Sequence, residues 1–120
     1  MCRPIIQIKR AYEPPASGDG LRVLVDRVWP RGRSKDDMQL DHWMKSLAPS
    51  AELRQWFDHD PAKWATFKKR YFDELRQRKN ELHALLEAAG DGPVTLVFAA
   101  RDQRYNNAVA LREYLRRLRR

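Results

Sequence analysis

Leu21-Arg22-Val23-Leu24-Val25-Asp26-Arg27-Val28-Trp29-Pro30-Arg31-Gly32-Arg33 reads as a strand that runs into a charged loop. Its first five residues are apolar except for Arg22, the pattern of a strand buried on both faces of a covered sheet. Pro30 and Gly32 then stop the strand. Between run and stop stand Asp26, Arg27, Trp29 and Arg31. In open α/β sheets, ligands bind in the crevice beyond the carboxyl ends of the strands. The stretch therefore predicts a fold class and the place of a site together.

The rest of the chain supplies what such a sheet needs. Ile5-Ile6-Gln7-Ile8 reads as a first strand, and two prolines and two glycines make residues 13–20 a loop. Residues 94–99 form a third strand, apolar apart from Thr95. About 60 residues of helical pattern separate the second and third strands, so these two are expected to be parallel with a right-handed crossover. Within that crossover Asp41 is read as the N-cap of a short helix through Leu47, and Ser50 as the cap of a helix over 51–57. Asp60-Pro61 is a further helix start. Trp64, Phe67, Tyr71 and Leu75 follow at helical spacing, and Leu82, Leu85, Leu86 and Ala89 continue a similar face, as either one long helix or two with a break near Asn80. Gly90-Asp91-Gly92-Pro93 closes the helix. A last helix is expected over 106–119, with Ala108, Leu111, Leu115 and Leu118 as its buried stripe. The expected architecture is one α/β domain over residues 1–120: a small, mostly parallel sheet of three to four strands with helices packed on it. The place of the first strand in the sheet is left open.

Composition narrows the partners. The chain has 120 residues, 42% apolar, with 24 Lys and Arg against 16 Asp and Glu, a formal charge of +8. That balance favours anionic partners, and the dominance of Arg favours planar phosphate or carboxylate groups. Cys2 is the single cysteine, which excludes an internal disulfide. No apolar run approaches the roughly 18 residues of a membrane span, and no charged-then-apolar signal opens the chain. A cytoplasmic location with no membrane partner is the expectation.

If the second and third strands are parallel, Asp26-Arg27 and Arg101-Asp102 reach the same edge of the sheet. The loop after the third strand leads into the last helix, whose first amides and Asn106 or Asn107 can hold an anion. Arg27, Arg31 and Arg101 would add charge-assisted hydrogen bonds, and Trp29 a stacking surface. Asp26 and Asp102 are the acid/base candidates. The same residues have a plainer reading: ion pairs, a Trp-Pro packing corner and a helix cap. Asp58-His59-Asp60 has metal-ligand types, but a turn and a cap account for them, so no metal is assigned. No zinc helix motif, phosphate loop, dinucleotide fingerprint or serine elbow is present, and the sequence specifies no cofactor.

Residues 25–32 resemble the signature of the YeaO-like proteins, a bacterial family of unknown function. So do residues 48–54, 67–71 and 106–111, in order along nearly the whole chain. The resemblance implies a small α/β protein and brings no reaction, cofactor or catalytic residue. Tyr105 departs from it, standing where many relatives carry His. Three readings follow. The first is a protein, with or without enzymatic activity, that binds a nucleotide or phosphate-like anion at the strand ends. The second is a non-catalytic nucleic-acid-binding protein, and the third a protein-interaction module with a basic helix.

Overall fold

The computed structural model describes residues 5–118; Cys2, Arg119 and Arg120 lie outside them. The apolar runs become β1 (Ile6–Arg10), β2 (Leu21–Leu24), β3 (His42–Trp43) and β4 (Val94–Phe98). They form one sheet in the order β1-β4-β2-β3, every pair parallel. β4 lies between β1 and β2, and all five of its residues are buried. A strand covered on both faces is what its unbroken apolar run requires. Ile6 and Leu21 both stand opposite Val94, so β1, β4 and β2 start together and their carboxyl ends share one edge.

The helices are α1 (Lys35–Met38), α2 (Ala51–Phe57), α3 (Trp64–Leu75), α4 (Lys79–Ala89) and α5 (Asn107–Leu118). Ser50 caps α2, accepting from the Leu53 amide at 3.1 Å. Asp60 caps the 3-10 turn Pro61–Lys63 that opens α3. The polar stretch between α3 and α4 becomes another 3-10 turn, Arg76–Arg78. Gly90 ends α4 at φ +57, a conformation that costs glycine little. Among the described residues no helix is long and apolar enough to cross a membrane.

Three local readings are corrected. Asp41 does not cap a helix. Its amide donates to Arg22 O and its carboxylate accepts from Arg22 N, both at 2.8 Å, which draws the following residues alongside β2 as β3. The unpaired edge of β2 outcompetes one turn of helix, because each edge amide and carbonyl needs a partner. Residues 30–34 are loop, as read, but the polar loop they begin is interrupted at once by α1, which Ser34 caps in a reciprocal pair with Asp37. Leu118 is 41% exposed rather than part of the α5 stripe, whose Ala108, Leu111 and Leu115 are buried.

Side chains of alternating direction give the sheet two unlike faces. Ile6, Val23, Val25, Leu96 and Phe98 face the large core with Phe67, Tyr71, Leu75, Leu82, Leu85, Leu111 and Leu115. The other face has a small cluster of Ala11, Leu24, Met38 and Val97, with Trp29 and Leu40 against it. Beside it lies a charged centre. The Asp19 carboxylate accepts from Lys9 at 2.9 and 3.0 Å, from Arg22 at 2.6 Å and from the Ala16 amide at 2.9 Å. Burial pushes Asp19 up, but these donors outweigh it and hold its carboxyl below the ordinary value. A depressed folded-state pKa contributes stability that is present above the unfolded value, about pH 4, and lost as pH falls through the folded one. Asp19→Asn is therefore expected to cost about 2 kcal/mol at pH 7, the scale of a charge-assisted bond. The gap from wild type should close below about pH 4 in a denaturation series.

Candidate functional site

Beyond the shared edge opens a cavity of about 550 Å³. Three parts of the chain supply its charged and hydrogen-bonding side chains. The loop after β2 brings Asp26, Arg27, Trp29 and Arg31; the end of α2 and its following turn bring Arg54, Phe57, Asp58 and His59; the start of α5 brings Tyr105, Asn106 and Asn107. The parallel register makes the first and third converge, since β2 and β4 end side by side.

Asp26 ties this edge together. Its Oδ2 accepts the Ala99 amide at 2.9 Å, and its Oδ1 accepts the Asn107 side-chain amide at 3.0 Å. The same Asn107 nitrogen donates to Val25 O at 2.9 Å, which fastens the start of α5 to the end of β2. The Trp43 indole donates to Asp26 O at 2.7 Å and adds β3 to the group. Burial raises the Asp26 carboxyl above its ordinary value, although the Ala99 and Asn107 bonds and the Arg54 charge oppose the rise. Tyr71 lies below, fully buried, its hydroxyl donating to Leu47 O. Burial, with the charges of Asp26 and Glu74, keeps that phenol protonated.

The arginines are less engaged. Arg27 reaches only Pro49 O, at 3.4 Å. Among the described residues the guanidinium groups of Arg31 and Arg54 make no hydrogen bond, and none of the three is in an ion pair. The apolar wall is aromatic: Phe57 stacks on Phe67 at 4.3 Å, and Tyr105 meets Trp64 edge-on at 5.5 Å.

The sequence candidates thus divide. Asp26, Arg27, Trp29, Arg31, Asn106 and Asn107 line the cavity; Arg101 and Asp102 do not. Asp102 spends its carboxylate on the Arg104 and Tyr105 amides, at 2.8 and 3.0 Å, and these hold its pKa down. Arg101 is exposed beside it. Asn106 is 3% exposed; it accepts from Val109 N and donates to Asp102 O, so it is the cap of α5. Trp29 gives its indole proton to Arg33 O at 2.6 Å and packs edge-on against Trp43. Only its ring remains for a ligand.

The strand-end rule does not reach Arg54, Phe57, Asp58 and His59, which also line the cavity; Tyr105, singled out by its departure from the family resemblance, lines it too. Asp58 and His59 have φ of +47° and +54°, two consecutive left-handed residues that turn the chain back at the cavity wall. The sequence marks a turn and a cap at Asp58-His59-Asp60, but not that two successive non-glycine residues adopt left-handed backbone there and bring the turn to the cavity wall. Asp60 is used as a cap, and among the described residues no three of His, Cys, Asp and Glu converge as a metal site.

A family profile described as the inactive DUF488-N3 subclade matches residues 5–119. The uncharacterized protein YeaO of Escherichia coli is 43% identical over 113 residues, covering 94% of this chain and 98% of that protein. The uncharacterized protein Rv3073c of Mycobacterium tuberculosis is 40% identical over 110 residues, 92% of each. No solved structure matches the chain.

Proposed function

The chain belongs to the inactive N3 subclade of the DUF488 proteins, and from that premise we propose that it binds, without converting, a flat anionic small molecule of the nucleotide class at the carboxyl ends of β2 and β4. One observation carries the reading. Arg27, Arg31 and Arg54 line a single cavity, and none is neutralised in an ion pair. Guanidinium groups lining one cavity without carboxylate partners can hold an anion there with bidentate bonds.

The other walls suit the rest of such a molecule. Tyr105 and the ring of Trp29, both partly exposed, offer flat apolar surface to a ring. The Asp26 oxygens have lone pairs left after accepting from Ala99 and Asn107, enough to receive an N–H from a ring edge. Asp26 is accordingly assigned to positioning, and Asp102, spent on its own loop, to no part of the chemistry. The description of the subclade as inactive agrees with that assignment.

Calorimetric titration with inorganic phosphate, nucleoside monophosphates and the matching nucleosides tests this. The monophosphates are expected to bind at least about tenfold more tightly than their nucleosides, because each charge-assisted bond contributes about 1.5–3 kcal/mol. Equal affinity for both, or no binding at millimolar concentration, would refute the reading.

A further inference from the structure

A second groove, of about 350 Å³, runs between α3 and α5 and is lined by Trp64, Lys68, Arg112, Glu113, Arg116 and Arg117. It adjoins the first cavity. Trp64 lines the groove and touches Tyr105, which lines the cavity. Asn107 belongs to the cavity, while Val109, Arg112 and Arg116 belong to the groove. The last three are spaced three and four residues apart, so they share one face of α5. From Asn107 to Arg116 the helix rises about 13 Å.

This groove is positively charged and only partly compensated. Glu113 is its one carboxylate, and it is paired with Lys68 at 3.2 Å and Arg117 at 3.6 Å. Arg112 and Arg116 meet no carboxylate among the described residues. Arg116 reaches only Ile6 O, at 3.5 Å. Like charges at i,i+4 destabilise a helix, so this pair is built at a cost that an anion would offset. Burial and the neighbouring Arg116 both disfavour the charge on Arg112.

We infer that the ligand is single-stranded nucleic acid, one nucleotide seated in the cavity and the backbone continuing from it along the α3–α5 groove. The inference rests on the cavity reading above and adds the length of the ligand to it. A base can lie against Tyr105 inside the cavity only when unpaired, which excludes an intact duplex from it. A positive groove beside a stacking wall is how proteins hold single strands without reading their sequence.

The test compares a nucleoside monophosphate with a tetranucleotide on the full chain, over a salt series. Wild type should bind the tetranucleotide at least about tenfold more tightly, with a log–log salt slope steeper by about 1.4 from two further phosphates. Arg112→Ala/Arg116→Ala should abolish that advantage and the extra slope while leaving monophosphate affinity within about twofold, since neither residue lines the cavity. Arg116→Glu, at an exposed position, checks the result where the double variant has a lowered melting temperature. Equal affinity for the two ligands, or an advantage that survives the variants, would overturn the inference and leave the monophosphate reading standing. So would tighter binding of a duplex. Binding of neither ligand would overturn both.

Discussion

Gly20→Ala should lower the melting temperature by about 12 °C, from a loss of about 3 kcal/mol at roughly 4 °C per kcal/mol for a domain of this size. Gly20 has φ +64° and ψ −133°, a backbone conformation that side chains rarely adopt. A Cβ there would lie 2.1 Å from Pro93 O, far inside contact distance and against backbone rather than a yielding side chain. That oxygen accepts the Leu21 amide at 2.9 Å, the bond that sets β2 against the start of β4. Strain at such a residue costs about 1–3 kcal/mol, and the displaced hydrogen bond about 1 more. Two other glycines separate these causes. Gly32 has φ +79° with nothing near its missing Cβ, so Gly32→Ala should show strain alone, about 1 kcal/mol. Gly18 has neither a positive φ nor a neighbour, and Gly18→Ala should be neutral. Thermal unfolding followed by circular dichroism ranks the three; a Gly20 variant as stable as the Gly18 variant would mean that β2 can shift away from Pro93.

Arg31→Ala/Arg54→Ala should weaken monophosphate binding by about 100-fold or more, on about tenfold or greater for each charge-assisted bond. The melting temperature should barely change. Both side chains are exposed and unpaired, and such charges contribute little to stability. Arg54 does oppose the rise in the Asp26 pKa, so its loss should move that carboxyl further up. Arg→Lys at the same two positions keeps the charge but not the planar fork, and should recover only part of the affinity. Titration calorimetry beside thermal unfolding reads both quantities. A large fall in melting temperature would make these arginines structural.

Much of the frame was legible because its signals are local. The apolar runs of β2 and β4, the Ser50 and Asp60-Pro61 caps and the Gly90 stop each follow from a few neighbouring residues, and each stands where expected. β3 was not legible. Two residues beside an edge carry no periodicity, and Asp41 has the same chemistry in a cap as in its bonds to Arg22. The site divides the same way. The strand-end rule led to Asp26, Arg27 and Arg31, because the loop after β2 holds them directly at the edge. It led also to Arg101 and Asp102, which the loop after β4 turns aside to bond its own amides. Arg54 and His59 reach the cavity only through the packing of α2 on α3; the turn at Asp58-His59-Asp60 is legible, but the long-range packing that brings it to the strand ends is not.

The claim that a nucleotide sits against Asp26 is tested most directly by a two-dimensional ¹H–¹⁵N correlation spectrum titrated with a nucleoside monophosphate. The Ala99 amide and the Asn107 side-chain amide both donate to that carboxylate and report on it. These signals, with the amides of Arg31, Arg54 and His59, should move together and saturate with one affinity. If they stay fixed while signals elsewhere move, the ligand binds away from the strand ends and the account of this cavity is wrong.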